Sequence, residues 1–486
     1  MTAKEILIDP ITRLEGHGNV SIFLNDKGDV ENAYLKIPEL RGFEKFCIGR
    51  RAELMPQLTS RICGVCPVAH HFAGTKALDQ AFNVEPTSAA KKLRELMYMA
   101  YVIYDHTLHF YYLGGPDFIV GIDAPPEKRN ILGVIETAGI DVAKDVIKHR
   151  AYGQKITEII GGKATHPTCG LPGGMSKPLS EENRAEIERM AASCKDFASF
   201  TIKLFHDIIL GNAKYVSLIK SQPYSMPTYY MGTVDENNKV NFYDGKVRVV
   251  DPSGNEFVKF EAKDYLKHIG EHVEEWTYCK FPFLKEVGWK GETAGSDSGI
   301  YRVGPLGRLN ASNGMATPLA QSEYEEMYKI LGGKPVHSTL AFHWARVIEL
   351  MYATERAMEL VKDPEITSTN VRSKVGEPSE GVGIVEAARG TLIHHYILDK
   401  DALIKDVNLV VATTNNYPAI CMSIRDAAKG LIHGGKVDQG ILNMVEMAFR
   451  AYDPCFGCAT HTAVGQMPLT VEVFDADKRL VSSLSR

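Results

Sequence analysis

Two Cys-x-x-Cys pairs stand near opposite ends of the chain, Cys63-Gly-Val-Cys66 and Cys455-Phe-Gly-Cys458, each followed a few residues later by a histidine. A Cys-x-x-Cys turn brings two sulfurs to one side while backbone amides stabilise thiolate charge. A second pair completes a four-sulfur set. If both pairs serve one ion, nearly the whole chain must fold around it, and no other feature constrains the architecture as much. Spacing alone leaves two readings open, a structural zinc site of four thiolates and a centre for another metal. Zinc ribbons join their halves within a few tens of residues, which this chain does not.

The 486 residues, with 24% charged, 44% hydrophobic and a formal net charge of -5, describe an ordinary soluble chain with material for a large core. No basic stripe or arginine-rich run is present, which excludes a nucleic-acid backbone binder. The N-terminus carries no apolar secretory core, and no long uncharged apolar run follows, so no membrane span and a cytoplasmic location are expected. Nine cysteines, four of them at metal-type spacing, do not read as a secreted disulfide framework. Cys47, Cys169, Cys194, Cys279 and Cys421 are expected to be packed or free thiols.

Residues 5–29 alternate apolar and polar positions and end in Asn-Asp-Lys-Gly, which predicts strand, loop, strand and hairpin turn. Helical periodicity predicts long helices over 91–114, 180–210, 318–361 and 436–452, with Ser180 before Glu181 and Glu182 as an N-cap. Residues 230–262 read as a small antiparallel insertion, and 467–484 as a hairpin with its turn at 475–478. The expected fold is mainly α (α+β): a long-helix bundle core with an N-terminal β hairpin and small antiparallel β insertions.

The surroundings of the two pairs sharpen the choice of metal. Arg61-Ile-Cys-Gly-Val-Cys-Pro-Val-Ala-His70 and Asp453-Pro-Cys-Phe-Gly-Cys-Ala-Thr-His461 resemble the signature motifs of the [NiFe]-hydrogenase large subunit. The resemblance continues in family order through Arg13-Leu-Glu-Gly-His17, Arg41-Gly-Phe-Glu44, His106-Thr-Leu-His-Phe-Tyr-Tyr112, Gly304-Pro-Leu-Gly-Arg308, Glu386-Ala-Ala-Arg-Gly390 and Val411-Ala-Thr-Thr-Asn-Asn416. Within the cytoplasmic group the chain is most similar to viologen-reducing enzymes associated with heterodisulfide reductase, with NAD-linked and deazaflavin-linked enzymes close behind.

This resemblance implies nickel on Cys63, Cys66, Cys455 and Cys458, the first and third terminal, with Cys66 and Cys458 bridging to an iron that carries carbon monoxide and cyanide. It implies reversible heterolytic cleavage of dihydrogen, in the hydrogen metabolism associated with methanogenesis. Arg389, held over the metals by Asp117 and Asp453, acts as base or shapes the field. Cys455 passes a proton to Glu15, and His70 donates to a bridging thiolate. Thr413 and the backbone near Ala388 and Arg389 serve the iron's ligands, although Ala388 and Ala412 stand where many relatives have proline. Glu44 and His461 bind magnesium or another hard cation. His394 and His395 are expected to be structural.

Residues 1–461 are expected to form one catalytic domain. Residues 462–486 match an extension that a maturation endopeptidase removes, and while attached it is expected to hold Cys455 to Cys458 outside the core. No further cysteine group suits an iron–sulfur cluster. The resemblance therefore implies three kinds of partner: an iron–sulfur small subunit, a further electron-transfer subunit, and beyond them a heterodisulfide reductase or equivalent. Two non-catalytic readings compete, a quinone-site subunit of a respiratory complex and a zinc-stabilised scaffold.

Overall fold

Helices Ser88–Leu108, Ile140–Gly161, Glu181–Phe205 and Phe342–Lys362 form a bundle at the centre of the computed structural model, which describes residues 4–462, 470–475 and 479–485. The first and last are buried on almost every face, and each packs against the other and against one of the remaining pair. Cap chemistry sets two of the starts. The Thr87 and Ser180 hydroxyls accept from the Ala90 and Asn183 N–H groups at 3.3 and 3.2 Å, satisfying first-turn donors that have no helical partner.

Over 91–114 and 180–210 the α-helical geometry stops at Leu108 and Phe205, and the wider turns His109–Gly114 and His206–Leu210 complete each segment. The segment predicted as one helix over 318–361 is two, Pro318–Leu331 and Phe342–Lys362. Gly332 and Gly333 take φ of 96° and 108° and Pro335 follows, which ends the first helix. The last predicted helix runs Gln439–Arg450 behind an Asp438 cap.

The sheets are small. The N-terminal segment makes three antiparallel strands, Lys4–Ile8, Asn19–Leu24 and Val30–Lys36, one more than the hairpin expected. The insertion is present as Tyr229–Val234, Lys246–Val250 and Glu256–Phe260, with Tyr301–Arg302 added in parallel. Strands Thr470–Phe474 and Leu480–Ser485 pair as the C-terminal hairpin; residues 476–478 of its expected turn lie outside the described residues. No helix among the described residues is long and apolar enough to cross a membrane.

One sheet that the sequence pattern did not announce positions the site. Glu380–Ala387, Gly390–Leu398 and Ile404–Val410 form an antiparallel meander, and the Pro67–Ala81 helix lies across its first strand. Gly381 and Gly383 permit that approach, since a Cβ on either would stand 2.1 Å from a helix carbonyl, Ala77 O or Ala73 O. The start of this helix, directly after Cys66, is thereby brought to the turn between Ala387 and Gly390.

Candidate metal centre

Cys63 is in extended backbone and Cys66 immediately precedes the Pro67 helix start. Between them the Val65 and Cys66 N–H groups point at Cys63 Sγ, at 3.2 and 3.4 Å, the amide stabilisation expected of this turn. The second pair is held by the N-terminal segment. Phe456 N–H donates to Glu15 O at 3.0 Å, and Gly457 N–H to Glu15 Oε2 at 3.0 Å. Arg41 ties the halves together, donating to the carbonyls of Ile62, Arg61 and Gly457.

All four cysteines are buried, and their Sγ atoms lie within 4.8 Å of one another. Cys455 Sγ is 3.4 Å from Cys63 Sγ, and Cys66 Sγ is 3.5 Å from Cys458 Sγ. Burial pushes the Cys455 and Cys458 thiols well up. Four ionised sulfurs at this spacing require a cation among them, so the donor set fits a soft, highly charged metal site. Cys66 and Cys458 also line a small cavity of about 10 Å³ with Ala387, Leu392, Val411 and Ala412, and with Arg389, Thr413 and His70 as its polar members. A mainly apolar cradle beside two of the four sulfurs fits a second metal with small diatomic ligands.

Arg389 is buried and pairs through Nη2 with Asp453 Oδ2 at 2.8 Å and through Nη1 with Asp105 Oδ2 at 3.1 Å. Asp117 was expected in that second place. The structure puts it elsewhere, bound to Arg13 and to Arg450 Nη1 at 2.8 Å. Asp105 lies within the straight helix and faces Arg389, whereas the wide turn His109–Gly114 and Pro116 redirect the chain before Asp117. Burial pushes Asp453 up to about 7 against the pull of Arg389, while Arg389 itself stays charged between two carboxylates.

Arg308 holds the turn that carries Arg389. Its guanidinium donates to Glu349 Oε1 and Oε2 at 2.6 and 2.7 Å, to Glu386 Oε2 at 2.8 Å, and to the Ala387 and Ala388 carbonyls at 2.8 and 3.2 Å. Gly390 completes the turn with φ 135°, where a Cβ would stand 2.1 Å from Val303 Cγ2. The Ala388 N–H donates to Tyr101 Oη at 3.0 Å. Proline there would lack that donor, which accounts physically for alanine at this position. Thr413 Oγ1 accepts from Cys455 N–H at 3.1 Å, leaving its own O–H for the cavity.

His70 Nε2 is 3.6 Å from Cys458 Sγ, and Nδ1 is 3.1 Å from His394 Nε2, whose Nδ1 is 2.6 Å from Tyr396 Oη. Burial holds His70 down at about 3 and therefore neutral. With Cys458 ionised as a metal ligand the sulfur accepts, and the series then runs one way: Tyr396 O–H donates to His394, His394 to His70, and His70 to the sulfur. His394, expected to be structural, thus sets the tautomer of His70. His395 instead bonds Glu380 and Tyr265.

Glu44 and His461 do come together, 3.7 Å apart, at Leu409, whose N–H donates to Glu44 at 2.8 Å. His461 has its Nδ1 2.7 Å from Cys458 O and its Nε2 2.7 Å from Leu409 O. Burial works to raise Glu44, yet His461, Lys280 and Thr462 together hold it down at about 2. His461 Nε2, Leu409 O and Glu44 lie together here, with Lys280 Nζ 3.6 Å from Glu44 Oε1, and the carboxylate, carbonyl and imidazole are groups of the kind a hard cation takes.

The expectation that the attached extension keeps Cys455 to Cys458 outside the core is corrected. The segment is buried with later residues still attached, because Arg41 N–H donates to Thr460 O, Phe43 N–H to His461 O, and the Thr462 hydroxyl to Glu44.

A buried four-thiolate pocket, with a carboxylate-clamped arginine and a mainly apolar cavity beside it, fits the metal centre of a metalloprotein. The chain belongs to the nickel-dependent hydrogenase family, whose sequence model matches residues 41–128 and 145–461, with a HoxL-like match over 5–40. It is 47% identical over 483 residues to an F420-non-reducing hydrogenase iron-sulfur subunit of Archaeoglobus profundus, covering 99% of each chain. To an F420-non-reducing hydrogenase vhu subunit of Methanocaldococcus jannaschii it is 44% identical over 427 residues, 87% of this chain and 99% of the relative. The crystal structure of an NAD+-reducing [NiFe]-hydrogenase in its H2-reduced state superposes with a TM-score of 0.86 at 36% identity, over 95% of this chain and 100% of that one.

Proposed function

We propose that this chain, the catalytic large subunit of a [NiFe]-hydrogenase, cleaves H2 with Cys455 and Glu15 as its proton exit and passes electrons to a heterodisulfide reductase-type acceptor. The observation that carries the proton route is the 2.9 Å contact between Cys455 Sγ and Glu15 Oε2. The nickel–iron pair, when bound on Cys63, Cys66, Cys455 and Cys458, supplies the polarisation that splits dihydrogen heterolytically. Cys455 Sγ receives the proton and hands it to Glu15, whose carboxyl is raised by burial and by the charge of Cys63. A carboxyl so raised releases protons closer to neutrality than an exposed one does. Arg389, charged between Asp105 and Asp453, shapes the field over the sulfurs, and this favours a field role over direct proton transfer.

Cys66 and Cys458 would hold the iron as well as the nickel, and Thr413 with the backbone near Ala388 and Arg389 would serve its carbon monoxide and cyanide ligands. His70 donates to Cys458. Glu44, Leu409 O and His461 would hold magnesium or another hard cation. Residues 1–461 form the catalytic unit, and a maturation endopeptidase removes 462–486, freeing Glu44 from Thr462. Retention of all four cysteines disfavours a quinone-site role, and membership of the nickel-dependent hydrogenase family disfavours a zinc scaffold.

Electrons need a partner. Cys47, Cys169, Cys194, Cys279 and Cys421 are buried free thiols, and no second metal-type cluster occurs among the described residues. The relatives belong to multi-subunit hydrogenases, and this chain is accompanied by a small subunit. In our reading the small subunit carries the iron–sulfur clusters, a further electron-transfer subunit joins it, and the assembly is cytoplasmic. Anaerobic H2-dependent reduction with the co-purified complex tests the acceptor. Viologen and, with the reductase present, heterodisulfide are expected to be reduced, and NAD+ and deazaflavin are not; rapid NAD+ or deazaflavin reduction would move the chain to the alternative linkage.

A further inference from the structure

His70 and Gly74 stand one turn apart on the same face of the Pro67–Ala81 helix, and His394 and Tyr396 share a face of the Gly390–Leu398 strand. The two spacings match, so helix meets strand twice. His70 Nδ1 lies 3.1 Å from His394 Nε2, and the Tyr396 hydroxyl stands 3.0 Å from where a Cβ on Gly74 would be. Any larger residue at 74 would press on that hydroxyl. The space it occupies lets Tyr396 Oη reach to 2.6 Å from His394 Nδ1, the shortest contact of the series that ends at Cys458 Sγ.

His70, His394 and Tyr396 are all buried. Burial keeps both imidazoles neutral and the phenol protonated, and a neutral imidazole has one donor and one acceptor nitrogen. What happens at one end of the series therefore fixes the other. A phenol donating to His394 Nδ1 makes His394 Nε2 the donor toward His70, and His70 Nε2 the donor toward the sulfur. Without the hydroxyl, only the sulfur is left to select this direction, and His394 Nδ1 keeps a buried lone pair that has lost its donor. The reversed tautomers would turn a lone pair of His70 toward the thiolate.

We propose that Tyr396 is a positioning residue for the metal centre: acting through His394, it fixes the direction of the hydrogen bond at Cys458 Sγ and so draws electron density from that sulfur. The proposal rests on the reading that Cys458 bridges to an iron bearing carbon monoxide and cyanide. Outer partners of this kind tune a metal through its ligand. The test is infrared spectroscopy of the purified complex, with nickel content measured on the same sample. Tyr396→Phe removes one oxygen atom and keeps the ring that fills the space. It is expected to shift the carbon monoxide band to lower wavenumber, because a sulfur with a weakened donor gives the iron more density to return to its diatomic ligand. The midpoint potential of the centre should fall with it. Tyr265→Phe is the matched control, since Tyr265 Oη is 3.0 Å from Nδ1 of His395, on the other face of the same strand, and its loss should leave the band in place. Gly74→Ala sets a methyl group against Tyr396 Oη, should also move the band, and takes the place of Tyr396→Phe where that variant holds no nickel. A band unmoved in the nickel-loaded variant, or moved equally by Tyr265→Phe, overturns the proposal and leaves the centre standing. Absence of carbon monoxide and cyanide bands from wild type overturns the reading of the centre, and the proposal with it.

Discussion

Glu15→Gln is expected to slow exchange between H2 and D2O by roughly 10²–10⁴-fold, the range for loss of a general acid–base group, with nickel still bound. Glutamine matches glutamate in size and can still accept the Gly457 N–H, so the Cys455 to Cys458 loop keeps its seat. What it lacks is a site that takes a proton from Cys455 Sγ and releases it. The effect therefore falls on proton traffic and not on metal content. Exchange at the wild-type rate in a nickel-loaded variant would show that the proton leaves by another route.

Arg389→Lys is expected to lower H2 oxidation by roughly 10²–10³-fold, comparable to removing one preorganised donor from a buried electrostatic site. One guanidinium reaches both Asp105 and Asp453; an ammonium is a compact point charge and cannot match that two-sided grip. Steady-state kcat at saturating H2, with nickel content measured in parallel, reads the loss. Asp105→Asn should lower kcat through the same contact. Asp117→Asn acts instead on Arg13 and Arg450, and a larger effect there than at Asp105 would contradict the assignment of the arginine's partners.

The four cysteines were legible because their chemistry is local: each pair makes its own turn, and two pairs at metal spacing read together. The helices were legible where apolar periodicity and a cap coincide, as at Ser180. Their ends were not, since the wide turns after Leu108 and Phe205 carry apolar residues that continue the pattern. Asp105 was missed for that reason. With the 109–114 segment read as ordinary helix, nothing distinguished it from Asp117 as the arginine's partner. The sheet over 380–410 was missed because its first two strands, Glu380–Ala387 and Gly390–Leu398, are buried on both faces and show little alternation. With it went the role of His394, whose register beside His70 only the sheet reveals. Arg41 and Arg308 stood in recognisable motifs, but clamping carbonyls from distant segments leaves no signature in local sequence.

The central claim is that sulfurs from both ends of the chain share one nickel. Nickel-edge X-ray absorption on the active, purified complex tests it most directly, with metal content determined on the same sample. The account requires stoichiometric nickel and iron and a nickel shell of sulfur ligands that is disrupted by either Cys63→Ser or Cys455→Ser. Zinc in place of nickel, or a nickel shell of nitrogen and oxygen indifferent to both substitutions, would contradict it.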